Sequence, residues 1–378
     1  RCRPRGWTRC APIMPTCPRG AGPAAEPRQG VPVASEPSAK SRAWPLFDAI
    51  VTTADSRGRN PWTPDPGGDP RFRPDYATLE KLLAVPLLLG ASSQSGVPAL
   101  AIDVWVAYEL RRAGLDPDAV WPREQAPRVV DRDVLRFIES LPKPQRAELI
   151  ARLERGSVSS ASANILGKNY LKQVDVLMTS WQTGPELLIS TKRMDSSFGK
   201  NAANRVEESY GDAKNLALRH PLAALGFVYS LRSTAYTQER YHFDWLVDLL
   251  TKLGREDDAY DACALIVPEW EGIELPDEPD TVPEPEDPEL FPELLAGPDP
   301  EDEPGLFELD LPAAPTEVAA PVKAVPIDRL PTVRLRHDLV PDELSPARFF
   351  TEMLTIVLYN STVAQHRQAR ALRESARQ

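Results

Sequence analysis

The hydrophobic pattern divides this chain into a helical first half and a strand-containing second half. Tyr76–Leu89 places Leu79, Leu82, Leu83 and Val85 at helical spacing. Residues 98–113 (PALAIDVWVAYELRRA) read as an amphipathic helix with proline in its first turn, stopped by Gly114. Residues 131–141 and 143–155 predict two more helices, split by Pro142. The period then changes. Residues 171–181 alternate as a strand, with Val174, Val176 and Met178 on one face, and Thr183-Gly184-Pro185 supplies a turn. Residues 186–192 return as a second strand. A helix over 200–218, a buried-type strand over 225–231, a helix over 241–253 and a last strand over 261–267 complete the series. The order predicts an α/β fold with a mixed central β-sheet flanked by helices.

Proline bounds the folded region. Residues 1–75 hold 14 of the 40 prolines and residues 264–346 hold 17. These blocks predict a disordered Pro-rich tail over 1–75 and an acidic Pro-rich linker over 271–344. A domain over 76–270 lies between them, and a C-terminal helix occupies 345–378. Ser345-Pro346 is its N-cap and first-turn proline. Its first half is apolar from Phe349 to Leu358, and its second half carries Arg367, Arg370 and Arg373. Docking of the apolar half is the simpler expectation; a membrane-surface or DNA-contacting role is the other.

The net charge of −11 conceals an asymmetry. Residues 256–322 contain 22 acids and no Lys or Arg, so the remainder carries 44 basic and 33 acidic residues. A basic body suits a nucleic acid, because Lys and Arg contacts to phosphate dominate such affinity. The acidic stretch is either a spacer or an intramolecular mimic of phosphate lying over the basic face. Cys2, Cys10 and Cys17 match neither a zinc site nor a disulfide framework, and Cys263 reads as a small buried hydrophobe. With no run of membrane-span or signal-peptide length, the expectation is a cytoplasmic protein with no membrane partner.

Other chemistries lack their motifs. Gly199-Lys200 is followed by Asn201 rather than Ser or Thr, no Gly-X-Ser-X-Gly elbow occurs, and the 4 histidines are scattered. What stands out is Gln173-Val-Asp175 followed across the turn by Glu186-Leu-Leu-Ile-Ser190-Thr-Lys192. An acid near the end of one strand and a lysine near the end of the next suit hydrolysis of a phosphodiester: the acid holds a metal and the lysine orients the attacking water.

This arrangement resembles the PD-(D/E)XK nuclease superfamily, and in particular type II restriction endonucleases of the Ser-X-Lys variant subgroup. The resemblance covers about residues 98–268. It implies a restriction-endonuclease-like core and a Mg²⁺-dependent endodeoxyribonuclease, with Mn²⁺ able to substitute, acting on DNA as a possible homodimer. Asp175 takes the place of the first acid and Lys192 that of the motif lysine. Ser190 stands where most members have Asp or Glu, and the subgroup recovers that acid from the following helix. Glu207 and Glu208 lie at that distance. With Val206, Tyr210, Ala213 and Ala217 as the buried stripe, Glu207 falls about 100° around the helix and Glu208 about 200°, which favours Glu207. The implied ligands are Asp175, Glu207 and the Thr191 carbonyl, with Ser190 holding a metal-bound water.

Ser196, Ser197, Lys200, Asn201, Asn204 and Arg205 form a dense set of donors suited to DNA contact, with Lys168, Asn169 and Lys172 as lesser candidates. Glu109 is either the acid many members carry on the helix before the core or a surface partner of Arg112. Glu186 reads as solvated, and His220 as a loop or capping residue. The rival to an active enzyme is a nuclease-like fold that has lost catalysis and binds DNA or a partner. Ser190 is then a mark of decay, and an exposed Glu207 favours that reading.

Overall fold

A computed structural model of the chain describes residues 38–155, 163–196, 198–257, 259–276 and 327–377, with backbone alone at 154–155 and 199–206. The chain enters through α1 (Ala39–Thr52), the antiparallel pair β1 (Trp62–Thr63) and β2 (Arg71–Phe72), α2 (Tyr76–Leu89) and α3 (Val97–Arg112). A short strand β3 (Val120–Trp121) precedes α4 (Arg132–Ser140) and α5 (Lys143–Arg155). Strands β4 (Ala163–Leu166), β5 (Leu171–Val174), β6 (Val176–Ser180) and β7 (Gly184–Met194) come next. They are followed by α6 (Phe198–Ala217), β8 (Ala224–Leu231), α7 (Thr234–Gln238), α8 (Arg240–Leu253) and β9 (Ala262–Ile266). A bridge between β10 (Pro268–Glu269) and β11 (Arg334–Leu335) leads to α9 (Pro346–Asn360) and α10 (Arg367–Ser375).

The fold is α/β. Its central sheet is mixed, in the order β3-β6-β7-β8-β9. β3, β6 and β7 are antiparallel neighbours, whereas β7, β8 and β9 run parallel. Parallel neighbours need crossovers, and α6 and α8 provide them. Along β7 the side chains alternate between two cores. Leu187 and Ile189 pack with α1, α2, α3 and α9; Leu188 and Met194 pack with α6 and α8. The sheet is therefore covered on both faces, and β8 is buried at every position.

Four differences from the sequence reading have physical causes. The expected strand over 171–181 is broken at Asp175, so Val174 joins the α6–α8 core while Val176 and Met178 join the other. Helix α3 is buried nearly all round rather than amphipathic, because α1, α2 and the sheet enclose it. The tail expected over 1–75 is folded from residue 38 onward: Phe47, Ile50, Trp62 and Phe72 are core residues. The linker expected over 271–344 has ordered ends, with Leu275, Val333 and Leu344 buried. Residues 1–37 and 277–326 lie outside the described residues.

The C-terminal helix docks as its apolar half implies, but it breaks at residues 361–366. Phe349, Phe350 and Met353 press on the sheet, and a Cβ on Gly226 of β8 would lie 2.7 Å from Phe349 Cζ. The basic half folds back as α10. Arg370 donates to the Leu358 and Ser361 carbonyls at 2.7 and 3.1 Å, closing the end of α9, and Arg373 lies over the Trp62 ring. Cys263 is buried on β9, as expected. Among the described residues no helix is long and apolar enough to cross a membrane.

Gly114 is where α10 meets the end of α3. Its φ of +89° is left-handed, and a Cβ there would sit 2.9 Å from the Ala369 backbone nitrogen. Backbone on both sides leaves little room to relax. Gly114→Ala should lower stability by about 1–3 kcal/mol, measured as a fall in the urea unfolding midpoint. An unchanged midpoint would mean that α10 does not hold this position in solution.

Candidate functional site

The break between β5 and β6 creates the site. β5 leaves the sheet to pair with β4, and β6 pairs with β7 only from Val176 onward. Thr191 of β7 therefore turns its N–H to the Asp175 side chain, donating to Oδ2 at 2.8 Å. A carboxylate fills the gap in the ladder and is fixed against the sheet by that bond.

From the opposite layer, α3 brings Asp103 to the same residue. The Thr191 hydroxyl donates to Asp103 Oδ1 at 2.5 Å. Thr191, between Ser190 and Lys192, thus bridges two acids from distant parts of the chain. Burial pushes both carboxyls above their ordinary range, and the Asp175 charge pushes Asp103 further. The Thr191 bonds and the charges of Lys40 and Lys192 pull the other way on both acids without cancelling the shift. Lys40 comes from α1, and its stem lies across Gly96 at the start of α3, where a Cβ would fall 2.8 Å from its Cε.

The sequence reading missed Asp103. Its signal was present: it is the lone acid in the apolar run from Val97 to Tyr108. A carboxylate in such a run is costly unless something uses it. The reading chose Glu109 instead. Six residues further along α3, Glu109 is turned about 240° away. It is fully buried, not a surface residue, and bonds the Asp75 N–H and Arg112. Burial raises its carboxyl to about 7. Its partners make it part of the packing between α2 and α3, with no described contact to Asp175.

Helix α6 does not present the expected acid. Glu207 and Glu208 are both exposed, and Glu207 lines a groove with Tyr210, Trp245 and Leu249 on the α8 side. The expected stripe was out of phase: Tyr210 is exposed, and the inward positions are Ser209, Asp212, Ala213 and Leu216. Polar residues occupy that face because it serves the β4–β5 loop, where Asn215 accepts from the Asn169 N–H and donates to the Tyr170 carbonyl. Asp212 is the acid that α6 turns inward. It already holds Lys172 at 2.6 Å and accepts from the Tyr170 hydroxyl at 3.0 Å.

Ser190 is buried beside Tyr260, whose hydroxyl has no hydrogen bond of good geometry among the described residues. Glu186 stands at the other end of β7 and is not solvated. Burial opposes its charge, but hydrogen bonds from His366 at 2.7 Å and Thr183 at 2.6 Å outweigh this and hold its carboxyl below the ordinary range. His220 lies in the loop after α6, and its ring contacts the carbonyl of Leu166 at the end of β4 at 3.0 Å. Of the expected DNA contacts, Ser196 is half-buried just after β7. Ser197 and the side chains of Lys200, Asn201, Asn204 and Arg205 lie outside the described residues. Lys168 and Asn169 are tied through their backbone N–H groups to Asn215.

Among the described residues no group of three His, Cys, Asp or Glu side chains is arranged to hold a metal. Glu207 is exposed, with no described contact to Asp175, whereas Asp103 and Asp175 meet at Thr191. Mg²⁺ is commonly held by one or two carboxylates and keeps several waters, so an under-neutralised carboxylate pair fits that ion without a third acid.

The raised carboxyls carry a stability consequence. A folded-state value above the unfolded one means that stability falls as pH rises from the ordinary carboxylate range of about 4 through the folded value. Asp103→Asn removes the ionising group and keeps an acceptor for Thr191. Without divalent metal, its unfolding midpoint should overtake that of the wild type as pH rises from about 4 to about 8. Parallel pH profiles for the two proteins would contradict this account of the site. No family model matches the chain, and neither a curated protein nor a solved structure matches it.

Proposed function

We propose that the chain is a Mg²⁺-dependent endodeoxyribonuclease whose metal-holding acids are Asp103 and Asp175. The observation that carries this reading is the meeting of those carboxylates at Thr191, one residue before Lys192. When bound, the metal supplies Lewis-acid stabilisation of charge on the phosphate and the leaving oxygen. Asp103 and Asp175 are the residues that would hold it. Lys192 alternates onto the face of β7 opposite Thr191, and its charge, which reaches both acids from there, would orient the attacking water in line with the scissile phosphodiester. Lys40 adds positive charge where a phosphate enters. Ser190, which faces Tyr260 on the other side of β7, orders water there.

A second reading has its own support. The exposure of Glu207 is the feature expected of a nuclease-like fold without catalysis, a DNA-binding or interaction module. The two separate on activity. Wild type should cleave mixed-sequence plasmid DNA in Mg²⁺, with Mn²⁺ substituting, and Lys192→Ala should lose at least about 10²-fold in rate while keeping DNA binding. Binding without cleavage by wild type in either metal selects the inactive module.

A further inference from the structure

One residue beyond Lys192, a second charged arrangement lies at the carboxyl ends of β7 and β8. Arg193 and Arg232 both stack on the Trp270 ring, with guanidinium carbons 5.4 and 4.2 Å from its centroid. Their chain neighbours fix them together: Arg193 pairs with Ser230 across the parallel ladder, and the Arg232 N–H bonds the Met194 carbonyl at 3.0 Å. Arg193 is further held by Asp195 and the Pro98 carbonyl. The arginine side chains are only 2% and 7% exposed.

Three polar atoms here are buried without a hydrogen-bond partner among the described residues: Arg193 Nη2, Arg232 Nε and Ser230 Oγ. Spare donors on fixed, desolvated side chains are costly to keep unless a ligand uses them. The carboxylate that Arg232 does hold is unusual. Glu274 bonds both terminal nitrogens, at 2.7 and 3.1 Å, yet its own side chain is 81% exposed. It reaches back because Gly272, with φ +72°, reverses the chain and the Trp270 indole N–H bonds the Ile273 carbonyl. A buried arginine fork closed by an exposed carboxylate is a geometry that a phosphate can take over, since the fork matches two phosphate oxygens as it does two carboxylate oxygens.

We infer that Arg193 and Arg232 form a subsite for a backbone phosphate of the bound nucleic acid, with Glu274 as its displaceable internal occupant. The subsite rests on the nucleic-acid reading above. Its position suits that role. In open α/β sheets ligands collect outside the carboxyl ends of the strands, and Arg193 shares with Thr191 the face of β7 that meets Asp103. A strand laid across the sheet with one phosphate at the Asp103–Asp175 pair would carry a neighbouring phosphate to Arg232.

The test is an anisotropy titration of a labelled mixed-sequence duplex with the full chain, in chelator and at several salt concentrations. Glu274→Gln should tighten binding about threefold or more and steepen the plot of log affinity against log salt by about 0.9, the increment for one more phosphate contact. Arg232→Gln in that background should reverse both changes. Because Arg232 is buried and its replacement can disturb folding, the exposed Glu274 variant is the deciding one: affinity and slope equal to wild type overturn the subsite. Thermal stabilisation of Glu274→Gln by inorganic phosphate, with DNA affinity unchanged, also overturns it and assigns the pair to free phosphate. The cleavage assay keeps the two readings apart. Cleavage with no effect of Glu274→Gln removes the subsite alone; tighter binding with no cleavage keeps the subsite and removes the catalytic reading.

Discussion

Everything proposed for this protein depends on one missing ladder bond. β5 and β6 are nearly continuous in sequence, yet they pair with different neighbours, and Asp175 is the residue at which the chain changes allegiance. That change leaves the Thr191 N–H without a backbone carbonyl. A buried donor must be satisfied, and the carboxylate of Asp175 satisfies it. The acid is therefore held by a structural need of the sheet, and its position against β7 does not rely on side-chain packing alone. Thr191 then extends the constraint through its hydroxyl to Asp103, so that a bond in the sheet also fixes what α3 presents.

Two desolvated carboxylates this close are a standing electrostatic cost, and the surrounding charges show how the fold lives with it. Lys40, Lys172 and Lys192 reach Asp175 from three separate elements, α1, β5 and β7. None forms a close ion pair with Asp175 or Asp103 among the described residues, which leaves both acids under-neutralised. That balance gives α1 a role beyond packing. Without α1 the buried pair would lose one of its counter-charges along with the core residues Phe47 and Ile50.

Most of the fold was legible in the sequence because helix and strand periods differ sharply. The stretches 143–155, 241–253 and 225–231 match the elements found to within a residue or so. The strand carrying Ser190 and Lys192 was legible for the same reason, whereas the strand expected over 171–181 breaks at Asp175. The rest failed where periodicity carries no information. Asp103 was hidden inside an apolar run that reads as core, and Glu207 was chosen by a helix phase anchored on Tyr210, whose ring is partly exposed. The boundary at residue 75 failed because proline density was taken as disorder. Pro45 and Pro86 sit inside helices α1 and α2, and Pro61 and Pro74 flank packed segments. Density of proline measures the lack of donors, not the lack of a core.

If the resemblance to the nuclease motif holds, the Ser190 in place of its acid looks less damaging once the two faces of β7 are separated. Leu188 and Met194 lie in the α6–α8 core, so Ser190 and Lys192 share their face; Leu187, Ile189 and Thr191 lie on the α3 face. On the Ser190 side the available acid, Asp212, is already neutralised by Lys172 at 2.6 Å. On the α3 side Asp103 has no ion pair among the described residues, and burial and the neighbouring Asp175 both oppose its ionisation, a cost that a bound cation would relieve. A cation is drawn to the face where negative charge is uncompensated. A carboxylate at position 190 would have faced Tyr260 and added charge to the face that has a counter-ion. In the proposed reading, metal binding at this strand pair depends on an acid from α3, and Asp103 is placed to be that acid.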